Sequence, residues 1–174
     1  YLAVVQERID TLKQLTEELF RYSLVVSANR YEERESVNLN RALEESIAGY
    51  YGALKEAGIT PRICIPEEKV MRQLNKAALS RILANVIGNA VKYSDGDLEI
   101  TLSGDGCTVF RNHAKEMNQV LVERLFDRFY TVETGKNSTG LGLSIARALT
   151  EQMGGEICAS YEEEYLVIEV KFCS

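Results

Sequence analysis

Two asparagines one helical turn apart, Asn85 and Asn89, sit in the apolar run ALSRILANVIGNAVKYS and are followed by Lys92 and Tyr93. Helical side chains at i, i+4, i+7 and i+8 share a face, so these four form a polar strip on an otherwise hydrophobic helix. A buried amide costs free energy unless something bonds it. A hydrated Mg²⁺ carrying a triphosphate would provide oxygen and water partners together, which makes a nucleotide site the first expectation. Far downstream comes Ser138-Thr139-Gly140-Leu141-Gly142-Leu143. Its glycines let the backbone approach a ligand where a Cβ would collide, and the helix that follows aims free N–H groups at an anion.

The elements that must position these residues are legible in outline. A helix is expected over roughly 75–93, then a turn at Ser94-Asp95-Gly96-Asp97 into the alternating strand LEITL. Gly104-Asp105-Gly106 joins that strand to CTVF as a hairpin. NHAKEMNQV is non-periodic and leads into the amphipathic VERLFDRFYTV, and residues 133–140 read as a mobile polar loop. The helix SIARALTEQM stops at Gly154-Gly155, a left-handed cap signal, and EICASY and YLVIEVKF close as a hairpin around Glu162-Glu163-Glu164. Upstream, residues 40–57 form an amphipathic helix ended by Gly58, preceded by a short strand near Ser36 to Leu39. Ile59, Ile63, Cys64 and Ile65 form a strand bounded by Pro61 and Pro66.

Leu2, Val5, Ile9, Leu12 and Leu19 make a heptad-like stripe on one long N-terminal helix, and SANRYEERESVN is a linker. The boundary is expected near residue 30, with a helix and linker over 1–30 and one domain over 31–174. The fold class that follows is α+β: a two-layer α/β sandwich with a mixed, largely antiparallel sheet of about five strands and three helices on one face.

Composition excludes several classes of function. At 174 residues the chain suits one core, and 20 Lys and Arg against 26 Asp and Glu give a net charge of −6 with no basic stripe for nucleic acid. Cys64, Cys107, Cys158 and Cys173 form no CxxC pair, so no zinc or redox motif is read from them; they are expected as buried free thiols in strands. No stretch approaches the roughly 18–20 apolar residues of a membrane helix, so a soluble piece is expected.

ILANVIGNAVKYS resembles the N box of sensor histidine kinases, LFDRFY their F box, and STGLGLSIARALTEQMGG their second glycine box, in the family's order. LKQLTEELFRYS is similar to the second helix of their dimerisation and histidine-phosphotransfer domain, so the match covers nearly the whole chain. The resemblance implies a Bergerat-type ATP-binding domain, shared with gyrase, Hsp90 and MutL proteins. By position it implies Asn89 as the Mg²⁺ ligand and Asn85 supporting metal and phosphate. It places Lys92 on phosphate charge, Tyr93 against adenine, and Thr139, Gly140, Leu141, Gly142 and Leu143 around the phosphates. Residues of about 115–138 would be the ATP lid, anchored by Phe126, Phe129 and Tyr130, with Arg128 and Lys136 as further phosphate contacts.

The first glycine box departs from the pattern. Its Asp-x-Gly-x-Gly falls on Asn112, His113, Ala114, Lys115 and Glu116. The Asn112 carbonyl can accept from the adenine amino group and its NH₂ donate to the neighbouring ring nitrogen. Loss of both glycines is expected to restrict the lid hinge and to weaken or slow nucleotide binding.

Relatives that hydrolyse ATP carry a water-activating Glu where this chain has Asn85, an amide without useful basicity, so hydrolysis is disfavoured. No side chain of this chain is assigned a catalytic role. Transfer of the γ-phosphoryl to a histidine needs chiefly positioning and charge neutralisation. His113, the one histidine, lies in a loop and is not the phosphoacceptor. The resemblance therefore implies a piece that binds ATP and Mg²⁺ without phosphorylating itself. Its partners would be a dimerisation-domain helix carrying the accepting histidine, a response regulator and, in the whole protein, a second copy. Such proteins are usually cell-membrane sensors with this domain in the cytoplasm. A nucleotide-insensitive interaction module on the same fold is the alternative.

Overall fold

The computed structural model describes residues 33–130 and 140–173, together with helical positions scattered between 4 and 23. Those early positions are helical as the stripe requires, and Val4, Val5, Ile9, Leu12, Leu19 and Phe20 are exposed. Among the described residues no helix is long and apolar enough to cross a membrane.

The element order is β1 (Glu35–Asn38), α1 (Leu39–Gly49), α2 (Tyr51–Glu56), β2 (Arg62–Cys64), β3 (Met71–Leu74), α3 (Lys76–Tyr93), β4 (Glu99–Leu102), β5 (Cys107–His113), α4 (Gln119–Glu123), α5 (Gly142–Gln152), β6 (Glu156–Glu162) and β7 (Tyr165–Lys171). Five strands form one sheet in the order β2-β4-β5-β7-β6. Only β2–β4 is parallel; the other three pairings are antiparallel. This is the mixed, largely antiparallel sheet the strand pattern implied.

One face of the sheet is apolar because the strands alternate. Ile100 and Leu102 of β4, Phe110 of β5 and Leu166, Ile168 and Val170 of β7 all point into the core. Helices α1, α3 and α5 cover that face, with α3 packed against both of the others. Ile82, Ile87, Ala146 and Leu149 bury their side chains completely. Asparagine caps start three of the helices: Asn38 accepts from the Arg41 N–H, Asn75 from Ala78 at 2.9 Å and Asn118 from Leu121 at 3.0 Å. Helix α5 has no such cap, and its first residues lie at the glycine turn.

Three expectations need correction. The strand near Ser36 does not join the main sheet; it pairs antiparallel with Met71–Leu74, a strand too short to show periodicity. The helix expected over 40–57 breaks at Tyr50 (φ −96°, ψ 3°), and Ile59 enters the core as part of the following turn, with its N–H on the Leu54 carbonyl. The cysteines are not buried: Cys64, Cys158 and Cys173 are exposed and Cys107 half-buried, all as free thiols. Cys107 and Cys158 occupy outward positions of β5 and β7's other neighbour β6, a face that no helix covers among the described residues.

Candidate functional site

Helices α3 and α5 bring the two polar motifs together. A Cβ built on Gly142 would lie 3.5 Å from Asn85 Oδ1 and 3.8 Å from its Cγ, so the Asn85 carboxamide lies directly beside the first residue of α5. Asn85 Nδ2 is buried without a hydrogen-bond partner among the described residues. Such an atom is costly unless a ligand accepts from it. Asn89, one turn on, and Tyr93 are half-buried, while Lys92 is exposed in the last turn of α3.

The residues of the glycine turn divide by role. Leu141 and Leu143 are core side chains, fully and almost fully buried, so only their backbone can face a ligand. Ser144 donates back to the Leu141 carbonyl at 2.9 Å. With no side chain capping α5 among the described residues, the N–H groups at its start are available to an anion. Gly140 (φ +69°) has a structural task of its own. A Cβ there would come within 2.6 Å of the Phe129 carbonyl carbon and 2.7 Å of the Tyr130 backbone, so the F box itself requires glycine at this position. Phe129 N donates to the Gly140 carbonyl at 3.1 Å, which ties the two ends of the intervening segment. Thr139, Lys136 and residues 131–139 as a whole lie outside the described residues.

The three expected lid anchors do not act alike. Phe126 packs half-buried on the core, beneath the Arg147 guanidinium at 5.6 Å from its ring. Tyr130 lies under the Arg124 guanidinium at 4.4 Å. Phe129 adopts φ +62° and leaves 54% of its surface exposed, so its backbone, not its ring, makes the anchor. Arg128 is exposed.

Asn112 lies on the helix-covered face of β5 and is buried. One of its two N–H donors goes to the His113 carbonyl at 2.9 Å, leaving the carboxamide with less donor capacity than expected. His113 is structural. Its backbone N–H and Nδ1 engage the two Asp97 carboxylate oxygens at 2.8 and 3.0 Å, and its ring stacks on Tyr165 at 3.7 Å. Asp95 completes the clip by accepting from Lys115 N at 2.8 Å. In the sequence Asp95 and Asp97 show only as turn residues, because a side-chain tie to a strand sixteen residues away leaves no local signal.

The missing glycines of the first box leave no strain. Among the described non-glycine residues positive φ occurs only at Phe129, Glu163 and Glu164, so Ala114 and Glu116 hold ordinary backbone. Ala114 is buried, its N–H donates to the Glu164 carbonyl, and its own carbonyl accepts from Met117 N and Tyr161 Oη. The hinge is braced by neighbours rather than freed by glycine.

As for a metal, no group of three or more His, Cys, Asp or Glu side chains that could hold an ion occurs among the described residues. A hard cation here would take one amide oxygen from the protein and the rest of its shell from phosphates and water, which suits Mg²⁺.

Residues 75–172 match the family model of histidine kinase-, DNA gyrase B- and HSP90-like ATPases, more than half of the sequence, and the chain belongs to that family. The sensor histidine kinase YcbM of Bacillus subtilis is 31% identical over 183 residues, covering 98% of this chain and 58% of that protein. The chain thus spans little more than half the length of this relative. The solved complex of histidine kinase ThkA with the response regulator protein TrrA superposes with a TM-score of 0.79 at 20% identity, covering 99% of this chain and 50% of the other. Full-length ShkA in complex with AMPPNP gives 0.75 at 23%, covering 100% and 38%. Likeness at these identities establishes a shared fold.

Proposed function

We propose that this domain binds Mg²⁺-ATP and presents its γ-phosphoryl to a histidine on a partner helix, for relay to an aspartate of a response regulator. The observation that carries the reading is the contact of Asn85 with Gly142: an unpartnered buried amide from one motif facing the uncapped start of the helix that bears the other. The kinship with YcbM supports the kinase reading, and the neighbour bound to a response regulator supports the relay.

In this reading Asn89 supplies the amide oxygen to Mg²⁺, which when bound neutralises charge on the phosphates. The Asn85 NH₂ donates to a phosphate oxygen, and the N–H groups at the start of α5 hold the phosphate chain without reorganising. Lys92 adds a mobile positive charge and Thr139 a hydroxyl; Tyr93 lies against adenine while the Asn112 carbonyl accepts from its amino group. The backbone of Gly140, Leu141, Gly142 and Leu143 lines the phosphate side. None of these groups is a base, so the chemistry is positioning and charge stabilisation, and the attacking imidazole comes from outside the domain. The partition into a helix and linker over 1–30 and a catalytic domain over 31–174, pairing of whole proteins into a homodimer through the exposed stripe, and a cytoplasmic position beneath a membrane sensor belong to the same proposal.

Calorimetry with ADP and MgCl₂ tests it. Saturable binding should occur, and Asn89→Ala should weaken it at least tenfold while leaving the unfolding transition in place. Absence of heat or competition at millimolar nucleotide would favour the nucleotide-insensitive interaction module. With labelled ATP, a separately supplied dimerisation helix should take the label, and this chain, whose one histidine is held by Asp97, should not.

A further inference from the structure

Helix α5 has the glycine turn at its start and, about 16 Å away at its other end, a second concavity. This groove has a volume of about 410 Å³ and lies between the small sheet β1–β3, Met153-Gly154 after α5, and the end of β7. It is in the size range of small-molecule sites, about 300–1,000 Å³. Among the described residues no acidic side chain lines it, although the chain as a whole carries −6.

Its distinctive feature is Arg72. The side chain is only 9% exposed, and its guanidinium is held rigidly, Nε donating to the Phe172 carbonyl at 2.7 Å and Nη1 to the Met71 carbonyl at 2.8 Å. Nη2 has no hydrogen-bond partner among the described residues, and no carboxylate pairs with the group there. Gly106 (φ +89°) makes the room: a Cβ on it would stand 2.7 Å from Nη2. An arginine cannot shed its proton, so this guanidinium, fixed by two carbonyls and paired with no carboxylate among the described residues, is a permanent positive charge at the groove. A second cation, Arg34, lines the same groove and makes one long bond, 3.4 Å, to the Gln152 carbonyl. Met71, 42% exposed, supplies apolar wall beside the two charges.

We propose that this groove binds a small organic anion, a carboxylate or phosphate carried on an apolar body. The remaining N–H groups of the Arg72 guanidinium take the oxyanion, Arg34 closes over it, and the hydrocarbon rests on Met71. The site is separate from the nucleotide site and does not depend on it.

Side-chain and backbone ¹⁵N–¹H spectra of the whole chain, titrated without nucleotide with benzoate, phenyl phosphate, acetate and inorganic phosphate, test the assignment. The Arg72 Nε–H signal and the amides of Met71–Leu74 and Met153–Gly154 should shift saturably in the millimolar range or below. The two aryl anions should bind several-fold more tightly than acetate and inorganic phosphate. Arg72→Lys keeps the charge and loses the fork and should weaken binding at least tenfold. Arg34→Gln, at an exposed rim position that the fold does not need, should weaken it several-fold. Shifts confined to Gly142–Ser144, equal affinity for the aryl and simple anions, or affinities unchanged in both variants would overturn the proposal.

Discussion

At the scale of single residues, glycine and asparagine carry most of the information, and for different reasons. Gly140 and Gly154 both have φ near +70°, yet only Gly140 has backbone against its missing Cβ. Gly140→Ala should therefore destabilise by about 1–3 kcal/mol, and Gly154→Ala by about 1 kcal/mol or less, as chemical denaturation would show. The positions of Asn85 and Asn89 were legible because helical spacing alone aligns them. The local hydrogen bond of Asn112 to the His113 carbonyl was not, because an amide that can face a base equally suits a neighbouring peptide. Arg72 left no trace in the sequence for a similar reason: its partners are carbonyls, which every residue offers.

At the scale of elements, caps and turns set the positions of the helices. Asn75→Ala should cost about 1 kcal/mol through the first turn of α3, seen as a lowered denaturation midpoint with unchanged slope. The β4–β5 turn is fastened by Asp105, which accepts from the Ser103 hydroxyl, pairs with Lys171 at 3.1 Å and accepts from Cys107 N. These contacts, the serine first, hold its carboxyl down to about 2 from an ordinary 3.8. A depressed carboxyl stabilises above its unfolded value, so this contribution is full above about pH 4 and is lost as pH falls through about 2. Carbon-detected NMR should find that low midpoint, and Ser103→Ala should raise it. Long elements with strong periodicity were readable, as α3, α5 and the β6–β7 hairpin are. Strand β3 was not, because four residues, MRQL, carry too little alternation and their partner is distant.

At the scale of the whole molecule, one sheet with helices on a single face determines where function can lie. The nucleotide motifs occupy the helical layer, and among the described residues the opposite layer is bare strand. The thiol groups there are accessible yet sluggish: partial burial and the neighbouring Glu169 push Cys107 and Cys158 above the usual thiol range. A thiol reagent near neutral pH should label both slowly, and Glu169→Gln should speed the reaction. The core answers to ordinary packing, and Ile100→Ala, at a fully buried position, should cost about 2–5 kcal/mol in a melt or denaturant titration. The fold class was readable because alternating strands and amphipathic helices each declare a single wet side. The bare layer has a genetic corollary. If every codon of β5 and β7 were randomised and survivors counted, acceptance of polar replacements should swing with a two-beat rhythm, permissive at Val109 and Glu169, severe at Phe110 and Ile168.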